Sequence, residues 1–404
     1  MYAPAWTALL MMALLTGVAE AGYADPGTFS FSYRTEDIPG MYETMQDTRI
    51  YYPDSAGYVP QSAAPCPIIV IGHGFMMGID RYFSYAEHLA SWGYIAVLPT
   101  FSNPLIEPEH YTRARCMVDA ALFVNELDQT TGDIFHMKVD RTAWGFTGHS
   151  MGGGCAFLAA DTFNLADTLR LVVSFCSPQT TPPVESSHLD LPKLVLAGSV
   201  DNIAPWNDVR SAMWSSAPAP GAFAVILGAN HGYCMDYSYF WEDGGTATIS
   251  REDQQRVIRL YLTAYMERYL HGDGSMNNFM FCYGDSILLD TELDSVEVRL
   301  ETGIGQSDPP WNPPGEHWVS VYPNPFSGSV SLDLSNSLSD AVSIEVRDLS
   351  GRLVSEITGN TLVTDGSTII WNGRDACGRD LPPGVYVLLI ENSGQMISTC
   401  MLKI

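Results

Sequence analysis

Lysine is almost absent from this 404-residue chain: Lys138, Lys193 and Lys403 are the whole complement. With 46 acidic residues against 20 basic ones, the formal net charge is −26. A surface of that sign repels phosphate backbones and anionic headgroups, so nucleic acid is not an expected partner. It suits a salt-tolerant extracellular surface and neutral or cationic substrates. Metal-type spacing is missing too, because the eight cysteines contain no C-x-x-C pair and no Cys/His cluster of zinc spacing. No apolar run beyond the N-terminus reaches the ~18 residues of a membrane span, so no transmembrane segment is expected. The N-terminus itself lacks the usual basic start, since no Lys or Arg precedes its apolar run through Ala13-Leu14-Leu15. It ends in Ala19-Glu20-Ala21, an A-x-A cleavage site, so residues 1–21 read as a signal peptide rather than a buried helix. Export permits disulfides. Cys234–Cys282 and Cys377–Cys400 are the expected pairs, each inside one presumed domain.

Hydrophobic residues make up 46% of the chain, enough for a substantial core. From residue 66 strand-like and helix-like segments alternate. Ile68-Ile69-Val70-Ile71 and Tyr94-Ile95-Ala96-Val97-Leu98 are continuous apolar runs, as in strands buried on both faces. Further strands are expected at Ala143–Thr147, Leu171–Phe175, Lys193–Ala197 and Phe223–Leu227. Helices are expected at Asp80–Trp92, Glu109–Leu127, Ser150–Ala160 and Ser250–His271, the last with Ser250 as cap and Asp253 reaching back. Alternation of this kind means an α/β fold, a mostly parallel sheet covered by helices on both faces. We assign it to residues 25–302. The stretch 303–316, rich in Gly, Pro and Ser, reads as a linker. Residues 317–404 carry short alternating strands only, at Val319–Tyr322, Ile344–Val346, Val385–Ile390 and Ile397–Leu402, and are expected to form a small all-β, Ig-like sandwich.

Gly148-His149-Ser150-Met151-Gly152 follows an apolar strand and opens a helix. This is a nucleophile elbow in its required context: a strained turn lifts the Ser150 hydroxyl into a cleft at a helix N-terminus. A hydroxyl needs a base to take its proton. His188 and His231 both lie between the elbow and the final helix, but only His231 directly follows a strand, in Gly228-Ala229-Asn230-His231-Gly232. Ligand sites in such sheets gather at the strands' carboxyl ends, which favours His231. Asp201 is the first carboxylate past the preceding strand and would orient His231; its bland alternative is to cap the next helix. The backbone N–H of Met151 and that of Phe75, in the loop Ile71-Gly72-His73-Gly74-Phe75, are the expected oxyanion donors, with His73 shaping the loop. Phe75, Met76, Met151, Trp206 and Tyr233 are candidate substrate contacts. No metal or organic cofactor is needed for this chemistry.

Together these motifs resemble the bacterial cutinase and polyester-hydrolase family over roughly Cys66 to Cys282. Gly148-His149-Ser150-Met151-Gly152-Gly153-Gly154 is similar to that family's elbow, and Asp201-Asn202-Ile203-Ala204-Pro205 to its acid loop. The resemblance implies an α/β-hydrolase fold with Ser150, Asp201 and His231 as a triad and Phe75 beside the scissile ester. There are departures. The family's P-G-Y is His73-Gly74-Phe75 here, its substrate-clamping tryptophan is replaced within Cys176-Ser177-Pro178-Gln179, and its cysteine before the acid loop is Gly198 or Ser199. The His-Gly-Phe-Met loop also resembles chlorophyllase-like and dienelactone-hydrolase-like esterases. The C-terminal run Val321-Tyr322-Pro323-Asn324-Pro325-Phe326, with Trp371-Asn372-Gly373-Arg374-Asp375 and Gly384-Val385-Tyr386, resembles the Ig-like domain of flagellar hook-capping proteins and the sorting domain of type IX secretion substrates. It implies export through the periplasm, contact with outer-membrane secretion machinery, and a secreted or surface-attached protein.

The expected activity is that of a secreted, monomeric serine carboxylic-ester hydrolase acting on a small or polymeric ester, polyethylene terephthalate included. A small-molecule esterase is the nearest alternative. A non-catalytic binding protein on a hydrolase scaffold is the alternative from a different class.

Overall fold

A computed structural model describes residues 22–101, 109–288, 290–299, 319–322, 326–334, 343–348, 352–357, 363–364, 368–392 and 395–403. They fall into two compact units that divide between residues 300 and 301. The expected signal peptide, 1–21, and linker, 303–316, lie outside the described residues.

The first unit is built on nine strands. These are β1 Phe31–Pro39, β2 Thr44–Pro53, β3 Cys66–Gly72, β4 Ile95–Leu98, β5 Val139–His149, β6 Leu169–Phe175, β7 Lys193–Gly198, β8 Gly221–Ile226 and β9 Leu293–Arg299. They form one sheet in the order β1-β2-β4-β3-β5-β6-β7-β8-β9. Pairing is parallel from β4 through β8 and antiparallel at the flanks, β1–β2, β2–β4 and β8–β9. The chief helices are α1 Phe83–Ser91, α2 His110–Gln129, α3 Met151–Thr162 and α4 Arg251–Met266.

The apolar runs make sense on this sheet. β3 is buried throughout, and its alternate residues face opposite ways. Ile68 and Val70 pack with α2 and α3 residues in one cluster. Ile69 and Ile71 pack with α1 and α4 residues in another. A sheet with two dry faces needs helices on both, so burial of continuous apolar strands dictates the layers. Ser250 caps α4, accepting from Asp253 N at 3.0 Å and donating to its carboxylate at 2.6 Å. Scarce lysine is used inside: Lys193 is buried and gives its ammonium to the carbonyls of Pro218 and Pro220 at 2.6 and 3.1 Å.

One helix and the flanking strands differ from expectation. The helix expected from Asp80 begins as a 3-10 turn, Ile79–Tyr82, before α1. The flanking strands β1 and β9 have half-polar patterns and antiparallel partners, so they carry no continuous apolar signal, and β2 is polar in its first half with a short buried run only at Ile50–Pro53.

The second unit is a β-sandwich. Its strands are β10 Val319–Tyr322, β11 Val330–Leu334, β12 Ser343–Asp348, β13 Leu353–Ile357, β14 Val363–Thr364, β15 Thr368–Trp371, β16 Gly384–Asn392 and β17 Gln395–Lys403. Two sheets, β10-β11-β15-β14 and β13-β12-β16-β17, share one core that includes Val330, Leu332 and Trp371 from the first and Val346 and Leu388 from the second. The four expected strands lie inside this set. Among the described residues no helix is long and apolar enough to cross a membrane.

Candidate active site

The elbow between β5 and α3 is a forced conformation. Ser150 has φ 54° and ψ −124°, a region that residues with a Cβ avoid. It is held by its N–H to the Phe175 carbonyl at 3.1 Å and by Gly154 N bonding to its own carbonyl at 3.1 Å. The flanking glycines are needed for close approach. A Cβ at Gly152 would stand 2.1 Å from the Gly72 carbonyl carbon, and one at Gly148 2.6 Å from the Gly72 oxygen. Only bare backbone lets β3, β5 and the start of α3 meet this tightly, which puts the loop after β3 directly against the elbow.

That loop is fixed by two side chains. His73 is buried and uses both ring nitrogens on backbone, Nδ1 with the Gly74 carbonyl at 2.8 Å and Nε2 accepting Phe101 N–H at 3.0 Å. Burial lowers its pKa to about 4, so the ring is neutral. It shapes the loop, as expected. Tyr82 was not foreseen. Its hydroxyl accepts Gly74 N–H at 3.1 Å and lies 2.9 Å from His149 Nδ1, bridging the loop to the elbow. His149 is fully desolvated, which with the neighbouring His231 pushes its pKa far down. Its ring lies 4.5 Å from that of His231.

Asp201 and His231 come together at the ends of β7 and β8. His231 Nδ1 is 2.8 Å from Asp201 Oδ2, and the two residues are 4% and 5% exposed. The other carboxylate oxygen accepts Ile203 N–H and Ala204 N–H, both at 2.9 Å. Asp201 does not cap the next helix, Trp206–Val209, which starts after Pro205; one of its oxygens holds the turn at Ile203 and Ala204 and the other meets His231. The His231 turn is pinned by Gln254 of α4, which bonds Asn230 N and O at 3.1 and 2.8 Å, and by His231 N to the Asp243 carbonyl at 2.9 Å. His188 is elsewhere, on the surface and 3.0 Å from Asp161.

Phe75, Met151 and Trp206 pack into the same cluster, with Met151 buried. Met76 is exposed, in a left-handed conformation at φ 58°. Tyr233 lies under the Arg251 guanidinium at 4.4 Å and lines a pocket with Asn230, Phe240 and Asp243. Beyond it, Tyr237, Tyr239, Phe240 and Trp241 are exposed, and the Tyr239 and Trp241 rings stack at 4.8 Å. Sequence reasoning passed over this run, although four aromatics in five residues of a polar loop are a legible signal.

The cysteines differ from expectation. Cys234 faces Cys176 at 3.5 Å, whereas Cys282 gives its thiol to Asn278 at 3.4 Å, so the expected Cys234–Cys282 bridge is not formed. Spacing placed both in one domain, but the strand order brings the end of β6, not the helix Met276–Cys282 behind α4, to the His231 turn. Cys377 is exposed and unbridged; the side chain of its expected partner, Cys400, lies outside the described residues. Cys176, Asp201 and His231 present donor atoms within 4.8 Å of one another, a trio that zinc accepts. Here, though, the imidazole and carboxylate engage each other.

A nine-stranded, mostly parallel sheet with a serine elbow after β5, and a paired acid and histidine after β7 and β8, defines an α/β-hydrolase. The PET hydrolase-like family matches residues 24–297, and the chain belongs to that family, which makes it a hydrolase. Residues 320–403 match the secretion system C-terminal sorting domain, the type IX module, so the protein is secreted or held at the cell surface and engages secretion machinery. No curated protein matches the chain.

Proposed function

We propose that the first unit is a serine carboxylic-ester hydrolase with Ser150 as nucleophile, His231 as base and Asp201 as its orienter. The observation that carries this is the buried 2.8 Å His231–Asp201 pair, whose imidazole lies 4.5 Å from the ring of His149, next to a serine held at φ 54°. Ser150 Oγ attacks the ester carbonyl while His231 Nε2 takes its proton. Nδ1–H stays on Asp201 Oδ2, which fixes the tautomer and stabilises the imidazolium. The tetrahedral oxyanion takes hydrogen bonds from the N–H groups of Met151 and Phe75. His231 then gives the proton to the leaving alcohol, and water deacylates the enzyme by the same route. None of these steps calls on a metal.

An apolar acyl or polymer chain is the substrate class we favour. Phe75, Met76, Trp206 and Tyr233 supply apolar surface near the site, and the exposed rings of Tyr239, Phe240 and Trp241 extend it. The chain acts as a monomer in this reading. An organophosphonate should label Ser150 in the folded protein, and Ser150→Ala should lower hydrolysis of short p-nitrophenyl esters by a factor on the order of 10³ or more. An unlabelled serine, or equal turnover by the variant, overturns the reading. A panel of short and long esters, an aliphatic polyester, polyethylene terephthalate and a peptide separates a polyesterase from a small-molecule esterase.

A further inference from the structure

We infer that Cys176 and Cys234 form a disulfide when this exported chain folds, and that this bond latches the His231 turn to the sheet. The inference goes beyond the esterase reading and does not depend on it.

Six cysteines of the first unit are buried. Four of them give their thiols to a protein oxygen: Cys66 to Ala63 O at 3.3 Å, Cys116 to Glu43, Cys155 to His110 O and Cys282 to Asn278 at 3.4 or 3.5 Å. Cys176 and Cys234 face each other at 3.5 Å, nearer than the 3.9 Å from Cys234 Sγ to the Asn230 carbonyl. A disulfide needs about 2.05 Å, so the sulfurs must close by roughly 1.5 Å, within reach of side-chain rotation. Cys176 follows β6 with φ 53°, a conformation disfavoured for any residue with a Cβ, held by its N–H to the Leu196 carbonyl at 2.8 Å. Cys234 ends the short turn Gly232–Cys234, fixed by Tyr85 Oη donating to its carbonyl at 2.9 Å and by Gln254 Nε2 at 3.2 Å from its sulfur. Two well-anchored backbones thus present the sulfurs to each other close to the Asp201–His231 pair.

A sorting domain for secretion takes the chain out of the reducing cytoplasm and into compartments where such a bond survives. The oxidant is a small-molecule or protein disulfide. It exchanges with one thiolate to give a mixed disulfide, which the second thiol resolves. Both protein sulfurs are oxidised by two electrons in all, and the oxidant leaves as two thiols carrying both protons. In the finished fold the two sulfurs are shielded, and the Cys176 thiol is held protonated by its contact with Cys234 and by burial. The bond therefore forms during folding, before the His231 turn closes. It encloses the segment that carries Asp201.

The test uses the full chain refolded with mixed oxidised and reduced glutathione, unfolded without reductant, alkylated and digested. The expected result is a linked peptide pair containing Cys176 and Cys234, two alkylated thiols fewer than in the reduced control, and Cys282 fully alkylated. The oxidised protein should melt about 5–10 °C above the protein folded under reductant. A Cys176→Ala/Cys234→Ala variant should lose that difference; if it does not fold, the peptide map still decides. Full alkylation of both residues, a Cys234–Cys282 link, or linked protein that melts no higher than the reduced form overturns the inference.

Discussion

Asp201 and His231 are 5% and 4% exposed, whereas Phe240 and Trp241, nine and ten residues after His231, are 83% and 64% exposed. The site floor is dry, and most of its polar groups are matched: each oxygen of Asp201 accepts a hydrogen bond, and His73 is bonded through both nitrogens, while His149 Nε2 is buried without a partner among the described residues. The rim exposes its rings to water and is held by Arg81, which pairs with Glu242 and lies over the Tyr237 and Tyr239 rings, by Arg251 on the carbonyls of Gly232 and Met235, and by Tyr237 donating to Asp80. In a low-dielectric floor a misplaced hydrogen bond is expensive. On the rim a ring costs little to change, because it leaves water only when substrate arrives. Floor residues should therefore govern the chemical step, and rim residues the capture of bulky substrate.

The comparison is sharpest at Asp201. Asp201→Asn keeps the shape but loses the charge and the tautomer, so kcat on a soluble ester should fall about 10⁴-fold with KM little changed. Next comes Gly152→Ala, whose Cβ has 2.1 Å to backbone and no flexible neighbour to displace. It should cost about 4 kcal/mol or more, read as a lowered urea midpoint or loss of soluble protein.

A third prediction concerns protons. Burial holds His73 at about 4 and His88 at about 3, both below an ordinary value near 6.5. Between pH 6.5 and about 4 the unfolded chain binds protons that the folded one refuses. Stability should therefore fall as pH drops through that window, by up to about 1.4 kcal/mol per unit for each histidine. Urea midpoints from pH 7 to 4.5 would show it, and His88→Gln should flatten the slope. The smallest effect belongs to the rim. Trp241→Ala should slow attack on an insoluble polyester by roughly 3- to 10-fold, the loss of one ring contact, and leave a soluble short ester within about 2-fold. An equal loss on both substrates would mean that rim and floor are one unit.

The elbow was legible because backbone geometry demanded particular residues: only glycine fits where Gly148 and Gly152 meet β3. The central strands were legible because burial on both faces writes an unbroken apolar run. The flanking strands β1 and β9 were not, since one polar face dilutes the pattern. Tyr82 escaped notice for another reason. A buried tyrosine hydroxyl is chosen by two partners distant in sequence, Gly74 and His149, and nothing local distinguishes it.

By itself the sequence determined the kind of fold, the turn that carries Ser150, and that His231 rather than His188 directly follows a strand, because these follow from local spacing and from where strands end. Tertiary structure alone decided which cysteines meet, how both oxygens of Asp201 are used, and which aromatics stay in water. Those outcomes depend on strand order, which brings residues 58 positions apart to 3.5 Å and which no local pattern encodes.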